Sequence, residues 1–212
     1  MKDHTIVCGY GVKGRSAVQT LIDKGATPEQ IVAIEPSAEA RALATADGLA
    51  AIAGSAAKQD VLLEAGVREA SALIVAPDRD DTAVLITLTA RELSSTVTIV
   101  AAVREEENAH LLHQGGADAV ITSSSAAGRL LGLSTETPQV TEVMEDLMTL
   151  GEGLDLAERR IGPEEAGPIP PQAQAAVMLA IVRDGEVIRF DDERASELRD
   201  GDRVLELFSH RR

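Results

Sequence analysis

The sequence predicts an α/β chain, with a doubly wound parallel sheet over residues 1–134 and a small α+β domain over residues 138–212. Three observations predict it. Six short apolar runs rich in β-branched residues are separated by helical patterns in the first two thirds of the chain. Glycines follow the helical runs, and past Leu133 the texture changes to polar, proline-bearing joints. Strand and helix alternating in this rhythm favour a parallel sheet, because each parallel pair needs a crossover long enough to be a helix.

The elements follow in order. Strands are expected at Thr5–Cys8 (TIVC), Ile31–Ile34 (IVAI), Ala50–Ala53 (AAIA), Ala72–Ala76 (ALIVA), Val97–Val103 (VTIVAAV) and Ala119–Ile121 (AVI). Being continuously apolar rather than alternating, each reads as a strand buried on both faces. Helices are expected over Gly14–Lys24, Ala38–Asp47, Lys58–Ala65, Asp80–Leu93 and Glu105–Gln114. Gly25, Gly48, Gly66 and the pair Gly115-Gly116 then cap them in the left-handed conformation. The polar stretch Ser134–Gln139 (STETPQ), carrying Pro138, is the expected domain joint. Beyond it, GLDLAERRI, VMLAIVRDGEVIRF and DRVLELF read as strands, and Arg183–Glu186 (RDGE) as a hairpin whose Asp-Gly pair supplies positive φ. The stretch Gly162–Pro171 holds four of the eight prolines and reads as a loop.

Composition narrows the function. A chain of 212 residues with 44% hydrophobic content can bury one ordinary core, or one large and one small. Twenty Lys and Arg against 35 Asp and Glu leave a net charge of −15, which a phosphate backbone repels, so nucleic acid is not an expected partner. The single cysteine, Cys8, lies inside the first apolar run; this excludes a disulfide framework and fits a reducing cytoplasm. Apolar runs such as Val177–Val182 fall far short of the roughly 18 residues of a spanning helix, and the N-terminus carries no signal-peptide pattern. A soluble segment with no direct membrane insertion is expected.

The run Gly9-Tyr10-Gly11-Val12-Lys13-Gly14 carries the chemistry. It follows a strand and opens a helix. Gly9 permits a tight turn, Gly11 lets backbone approach a pyrophosphate, and Gly14 allows close helix–strand packing; the helix N-terminus then offers free N–H groups to an anion. Glu35 stands at the end of the second strand, 21 residues past Gly14 (35 − 14), where a carboxylate accepts hydrogen bonds from an adenosine ribose. The pattern is that of a Rossmann-like nucleotide-binding domain. Glu35 would repel a 2′-phosphate, so the expected cofactor is NAD(H) or another adenine nucleotide (ATP, ADP or AMP) rather than NADP. Pro36 follows the acid; Gly54, Ser55 and Ala56 end the third strand, Ala76 the fourth and Arg104 the fifth, and all are expected to border the crevice. Arg104 would reach a phosphate from there.

Hydride transfer needs a proton donor or acceptor beside the reacting carbon. The candidates are Tyr10 inside the loop, Cys8 and His4 around the first strand, His110 and His113 in one helical run, and His210 in the tail. They form no evident catalytic pair, so the chain is not expected to be an enzyme; a small NAD-dependent oxidoreductase using one of these histidines is the alternative. His110 and His113 read as solvated or capping residues, and no metal site is expected. The acidic stretches Pro77–Asp81, Arg104–Asn108 and Asp191–Glu193 read mainly as partners of helix N-termini.

Nearly the full length resembles an RCK domain, the regulator of K+ conductance of the TrkA type, in both its N-terminal and C-terminal parts. The resemblance rests on HTIVCGYGVKGRSAV, IAGSAAKQDVLLEAGV, ALIVAPDRDDTAVLITLTAREL, GADAVITSSSAAGRLL, and in the small domain on RDGE and LRDGDRVLEL. It implies a ligand-sensing gating module at the cytoplasmic face of the cell membrane. Dimers would join into an octameric ring, with Ser125–Leu133 matching the helix exchanged between partners. The module would act on a K+ channel pore in cis, or as a regulatory subunit of a K+ transporter in trans. The sequence departs from the family in three places. Gly54-Ser55 stands where many relatives have Gly-Asp, Ala76, Ala102 and Arg104 stand where Ca2+-gated relatives have acids, and Ser124 replaces a Glu of nucleotide-switched transporter subunits.

Overall fold

A computed structural model describes residues 2–149, 153–168 and 176–209 and divides into two compact units, Met1–Thr135 and Glu136–Arg212. In the first unit, β1 (Thr5–Cys8), β2 (Ile31–Glu35), β3 (Ala50–Ala53), β4 (Ala72–Val75), β5 (Thr98–Val103) and β6 (Ala119–Thr122) alternate with α1 (Val12–Asp23), α2 (Ala38–Ala46), α3 (Gln59–Glu64), α4 (Asp80–Leu93) and α5 (Ala109–Gln114). All six strands pair in parallel in the order β3-β2-β1-β4-β5-β6, the doubly wound, Rossmann-like arrangement. Chain order reverses across β1, where Cys8 pairs with Ile34 on one side and Val75 on the other. The carboxyl ends of β1, β2 and β4 therefore meet at the topological switch point, where such sheets open a crevice.

The strands read as apolar runs because each face of the sheet has its own core. Val7, Ile31 and Ala33 pack with Val18 of α1 and Ala44 of α2, while Ile6, Cys8, Val32 and Ile34 join Leu62, Leu73, Ile86, Ile99 and Leu112 on the other face. Each fully buried Leu or Ile adds about 1.5–3 kcal/mol. Burial on both faces is complete for β2, but the edge strands depart from expectation: Ala50 and Ala53 of β3 and Ala119 and Ile121 of β6 are exposed. An edge strand lacks a neighbour, and its cover by helices is partial.

Most helix boundaries fall within one residue of the sequence reading, and two helix starts differ by more. Helix α1 starts at Val12, before Gly14, because Gly11 takes the extended N-cap conformation. The segment predicted as helix from Glu105 begins with a 3-10 turn at Glu106–Asn108 before α5. Gly25, Gly48, Gly66 and Gly116 have positive φ at the helix ends, whereas Gly115 remains right-handed at φ −71°.

Helix α6 (Ser123–Glu136) leaves β6 directly and absorbs much of the expected polar joint; α7 (Gln139–Met148) follows Pro138, whose fixed φ suits a helix start. The second unit contains β7 (Leu154–Arg160), β8 (Gly167–Pro168), β9 (Ala176–Arg183), β10 (Glu186–Arg189), β11 (Glu197–Leu198) and β12 (Arg203–Ser209). The four longer strands form an antiparallel sheet in the order β10-β9-β12-β7, and β8 pairs with β11. Asp184 and Gly185, at φ 52° and 82°, make the tight turn of the β9–β10 hairpin. Ile161, Ile181, Ile188, Ala195 and Val204 form its core. Ile169, Pro170 and Pro171 of the proline-bearing stretch, and His210 of the tail, lie outside the described residues.

Candidate functional site

A cleft of about 490 Å³, counted out to open solvent, lies at the switch point. The loop after β1 contributes Gly9 and Gly11, the end of β2 contributes Ile34, Glu35 and Pro36, and the loop after β3 contributes Ser55 and Ala56. Ala76, Pro77 and Asp78 follow β4, and Thr82 and Ile86 come from α4.

The three loop glycines do different things. Gly9 has φ 97°, and a Cβ on it would lie 2.7 Å from the Ala76 carbonyl oxygen; a Cβ on Gly14 would lie 2.0 Å from the Gly9 oxygen. Both are demanded by backbone packing. At Gly11 the nearest heavy atom to a Cβ is Asp78 Oδ1, at 3.9 Å. Folding does not require glycine there, and its bare Cα leaves room for a ligand at the N-terminus of α1.

Glu35, 9% exposed, is held from both sides. Its Oε2 accepts from the Tyr10 N–H at 2.7 Å and its Oε1 from the Ser37 N–H at 2.8 Å, which joins the glycine loop to the start of α2. Each carboxylate oxygen has a second lone pair, so the group still has capacity for ligand hydroxyls.

Several expected site residues stand elsewhere. The Tyr10 side chain is 2% exposed in the core beneath α1 and α2; its hydroxyl donates to Asp47 Oδ2 at 2.8 Å, and burial and that carboxylate push its pKa up. Only its backbone serves the loop. Lys13 Nζ donates to the Pro77 carbonyl at 2.8 Å, tying the loop to the end of β4, and Val12 is 78% exposed. Neither lines the cleft, nor does Gly54, whose neighbour is Val61. Arg104 stands outside this cleft too. It lines a separate surface hollow with Asp78, Arg79, Asp80, Asp81, Glu105 and Asn108. The reason is Asp80, whose carboxylate accepts from the backbone N–H groups of Arg104 and Glu105 and from Asn108 Nδ2 at 2.9–3.0 Å. Although partial burial opposes it, those bonds and the Lys13 charge hold the Asp80 carboxyl below the usual carboxylate range.

Ile34, Pro77, Asp78, Thr82 and Ile86 are cleft residues that the sequence reading did not assign to the site. The available signal was positional: Asp78 follows β4, the strand across the switch point from β2. None of the described histidines lines this cleft. His4 is buried with Nε2 2.8 Å from the Ala65 carbonyl oxygen, and His110 Nδ1 lies 2.7 Å from the Glu107 oxygen. Burial pushes the Cys8 thiol pKa up, which makes it a poor nucleophile. Among the described residues no cluster of three His, Cys, Asp or Glu side chains is arranged for a metal ion, and no helix is long and apolar enough to cross a membrane.

Known proteins resemble this chain in sequence and in fold. The chain is 23% identical over 231 positions to the calcium-gated potassium channel TvoK of Thermoplasma volcanium, covering 100% of this chain and 64% of the channel. It is 28% identical over 150 positions to probable potassium channel protein 2 of Methanocaldococcus jannaschii, covering 71% of this chain and 44% of that protein. The chain spans less than two thirds of the length of the curated relatives it matches. Among solved structures, the GsuK RCK domain superposes with a TM-score of 0.56 at 25% identity, over 99% of this chain and 45% of the other. The GsuK channel bound to NAD gives 0.55 at 24% identity, over 99% and 37%. The human SLO3 gating ring gives 0.71 at 15% identity, over 97% and 43%, a likeness of fold. The model of the TrkA-N domain matches residues 5–123, the whole parallel sheet with its glycine loop and acid, and the chain therefore belongs to the TrkA-N, or RCK N-terminal, family.

Proposed function

We propose that this chain is a cytoplasmic, nucleotide-sensing gating module that controls potassium flux. One observation carries the reading. The cleft presents an unobstructed Gly11 at a helix N-terminus together with a pre-oriented Glu35, yet none of the described histidines, the Tyr10 hydroxyl or the Cys8 thiol reaches it. Such a site suits binding better than hydride transfer. In this reading the α1 N-terminus takes the pyrophosphate of NAD(H) or of ADP, ATP or AMP, and Glu35 takes the ribose. Ser55 and Ala56 border the adenine side, and Arg104 acts only on groups that extend beyond Asp78. The solved relative that holds NAD supports the choice of ligand class.

A module without chemistry of its own acts through differential affinity for two shapes of an assembly. Helix α6 supports self-assembly: none of its residues is buried, and Leu131 and Leu133 are 72% and 60% exposed. A second copy covering that helix would give the dimer from which a ring is built. The ring would pull on a pore in cis, or on a transporter subunit in trans. Potassium currents through a channel carrying this module, recorded with and without saturating NAD+ and ADP, test the proposal. A change in open probability is expected; none at saturation overturns gating. Substrate-dependent NADH formation that is lost on mutating His4 or His110 would favour the oxidoreductase instead.

A further inference from the structure

We infer that Asp78 makes the cleft select its nucleotide by charge, preferring NAD+ to NADH and both to metal-free ADP and ATP. The inference rests on the proposed nucleotide reading and adds a specificity-determining residue to it. Strand order places the glycine loop between Glu35, at the end of β2, and Asp78, just after β4. A nucleotide with its ribose on Glu35 and its first phosphates over Gly11 must run onward toward Asp78, whose Oδ1 lies 3.9 Å from the position of a Gly11 Cβ.

Among the described residues no Lys, Arg or His lines this cleft; its charged residues are Glu35 and Asp78. Cations around its rim are held on other groups: Arg41 donates to the Glu35 and Pro36 carbonyl oxygens at 3.0 and 2.7 Å, on the ribose side. Lys13 Nζ donates to the Pro77 oxygen at 2.8 Å, and Arg79 pairs with Asp81. Arg104 sits in the neighbouring hollow, among carboxylates. The helix N-terminus can therefore offset a pyrophosphate, whereas past it the lining residue that carries charge is the Asp78 carboxylate, with Lys13 behind it on the Pro77 carbonyl. NAD+ brings a cationic pyridinium ring to that end, NADH a neutral ring. ADP ends instead in the second phosphate of the pyrophosphate, which as a terminal group carries about one negative charge more than in NAD+, and ATP places a third phosphate past it with about 1.5–2 negative charges at neutral pH. A carboxylate at the exit attracts the first and repels the last.

Calorimetry in EDTA with NAD+, NADH, ADP and ATP, on the whole chain and on Asp78→Asn, tests this. Asp78 is exposed, so the substitution spares the core; Asp78→Ser repeats the charge change with a different side chain. The unaltered chain should bind in the order NAD+, NADH, ADP, ATP. Both variants should tighten ATP and ADP by about three- to tenfold and leave NAD+ unchanged or weaker, with the differences shrinking as salt is raised. Equal affinity for NAD+ and ATP in the unaltered chain, or a variant that shifts all four ligands alike, overturns the inference while leaving nucleotide sensing intact. Absence of binding by every ligand overturns both.

Discussion

The Glu35 carboxylate bridges the Tyr10 N–H, at 2.7 Å, and the Ser37 N–H, at 2.8 Å, so the acid expected to read a ribose also holds the glycine loop against α2. Glu35→Ala should leave both donors without their partner and cost about 1–3 kcal/mol of stability without any ligand. Glu35→Gln keeps one acceptor and should cost less. Urea unfolding of the ligand-free chain measures this; equal stability of all three proteins would refute the bridging role.

The two later loop glycines should separate binding from folding. Gly14→Ala drives a Cβ to 2.0 Å from the Gly9 oxygen and should destabilise by about 1–3 kcal/mol or more, despite the better helix propensity of Ala. Gly11→Ala meets nothing closer than 3.9 Å and should cost only about 0.5–1 kcal/mol, as a poorer N-cap. Its nucleotide affinity should nevertheless fall at least about tenfold, because the methyl group occupies the line of approach. Thermal melting and calorimetry on the same two variants distinguish these outcomes.

In the second unit, Arg183 grips Asp202 through two hydrogen bonds, at 2.9 and 2.7 Å, with Asp202 only 3% exposed. The Arg183 guanidinium holds the Asp202 carboxyl below its ordinary value, against the opposing effect of burial and with help from the Arg199 N–H. A depressed folded-state pKa means the stabilisation is fully present above the unfolded value of about 3.9 and is lost as pH falls through the folded one. Circular dichroism from about pH 6 to about pH 2 should show acid unfolding whose slope flattens in Asp202→Asn. Arg183→Met, which strands a buried carboxylate, should cost about 3–5 kcal/mol at neutral pH.

Helix α6 supplies a test of assembly. Leu131→Asp combined with Leu133→Asp removes two exposed apolar side chains and should alter monomer stability by no more than about 0.5 kcal/mol. Sedimentation should nonetheless shift from dimer or larger species to monomer. An unchanged distribution would show that α6 is not the contact.

Much of the fold was legible because its determinants are local. Apolar runs of strand length, helical spacing between them, and the left-handed glycines at Gly25, Gly48, Gly66 and Gly116 follow from sterics within a few residues. The need for glycine at positions 9 and 14 was equally visible, since Gly9 takes φ 97° in the turn and Gly14 packs against its own loop and strand; the close approach of Gly9 to the Ala76 carbonyl is a tertiary contact. The same reasoning missed the exposure of β3 and β6, because a short apolar run reads alike in the middle of a sheet and at its edge.

Tertiary structure alone decided what surrounds the cleft. Tyr10 lies inside the glycine motif, but its ring turns into the core because Asp47, 37 positions away, supplies a partner for its hydroxyl. Arg104 follows β5 as read, yet Asp80, 24 positions before it, clamps its backbone beside a different hollow. Asp78 passed as one more helix-start acid until strand order set it next to Gly11. The sequence by itself determined the strands, the helices and the bare phosphate-sized loop, which depend on backbone sterics and local periodicity. Which charges face that loop depends on contacts between residues far apart in the chain, and only the folded sheet brings those residues together.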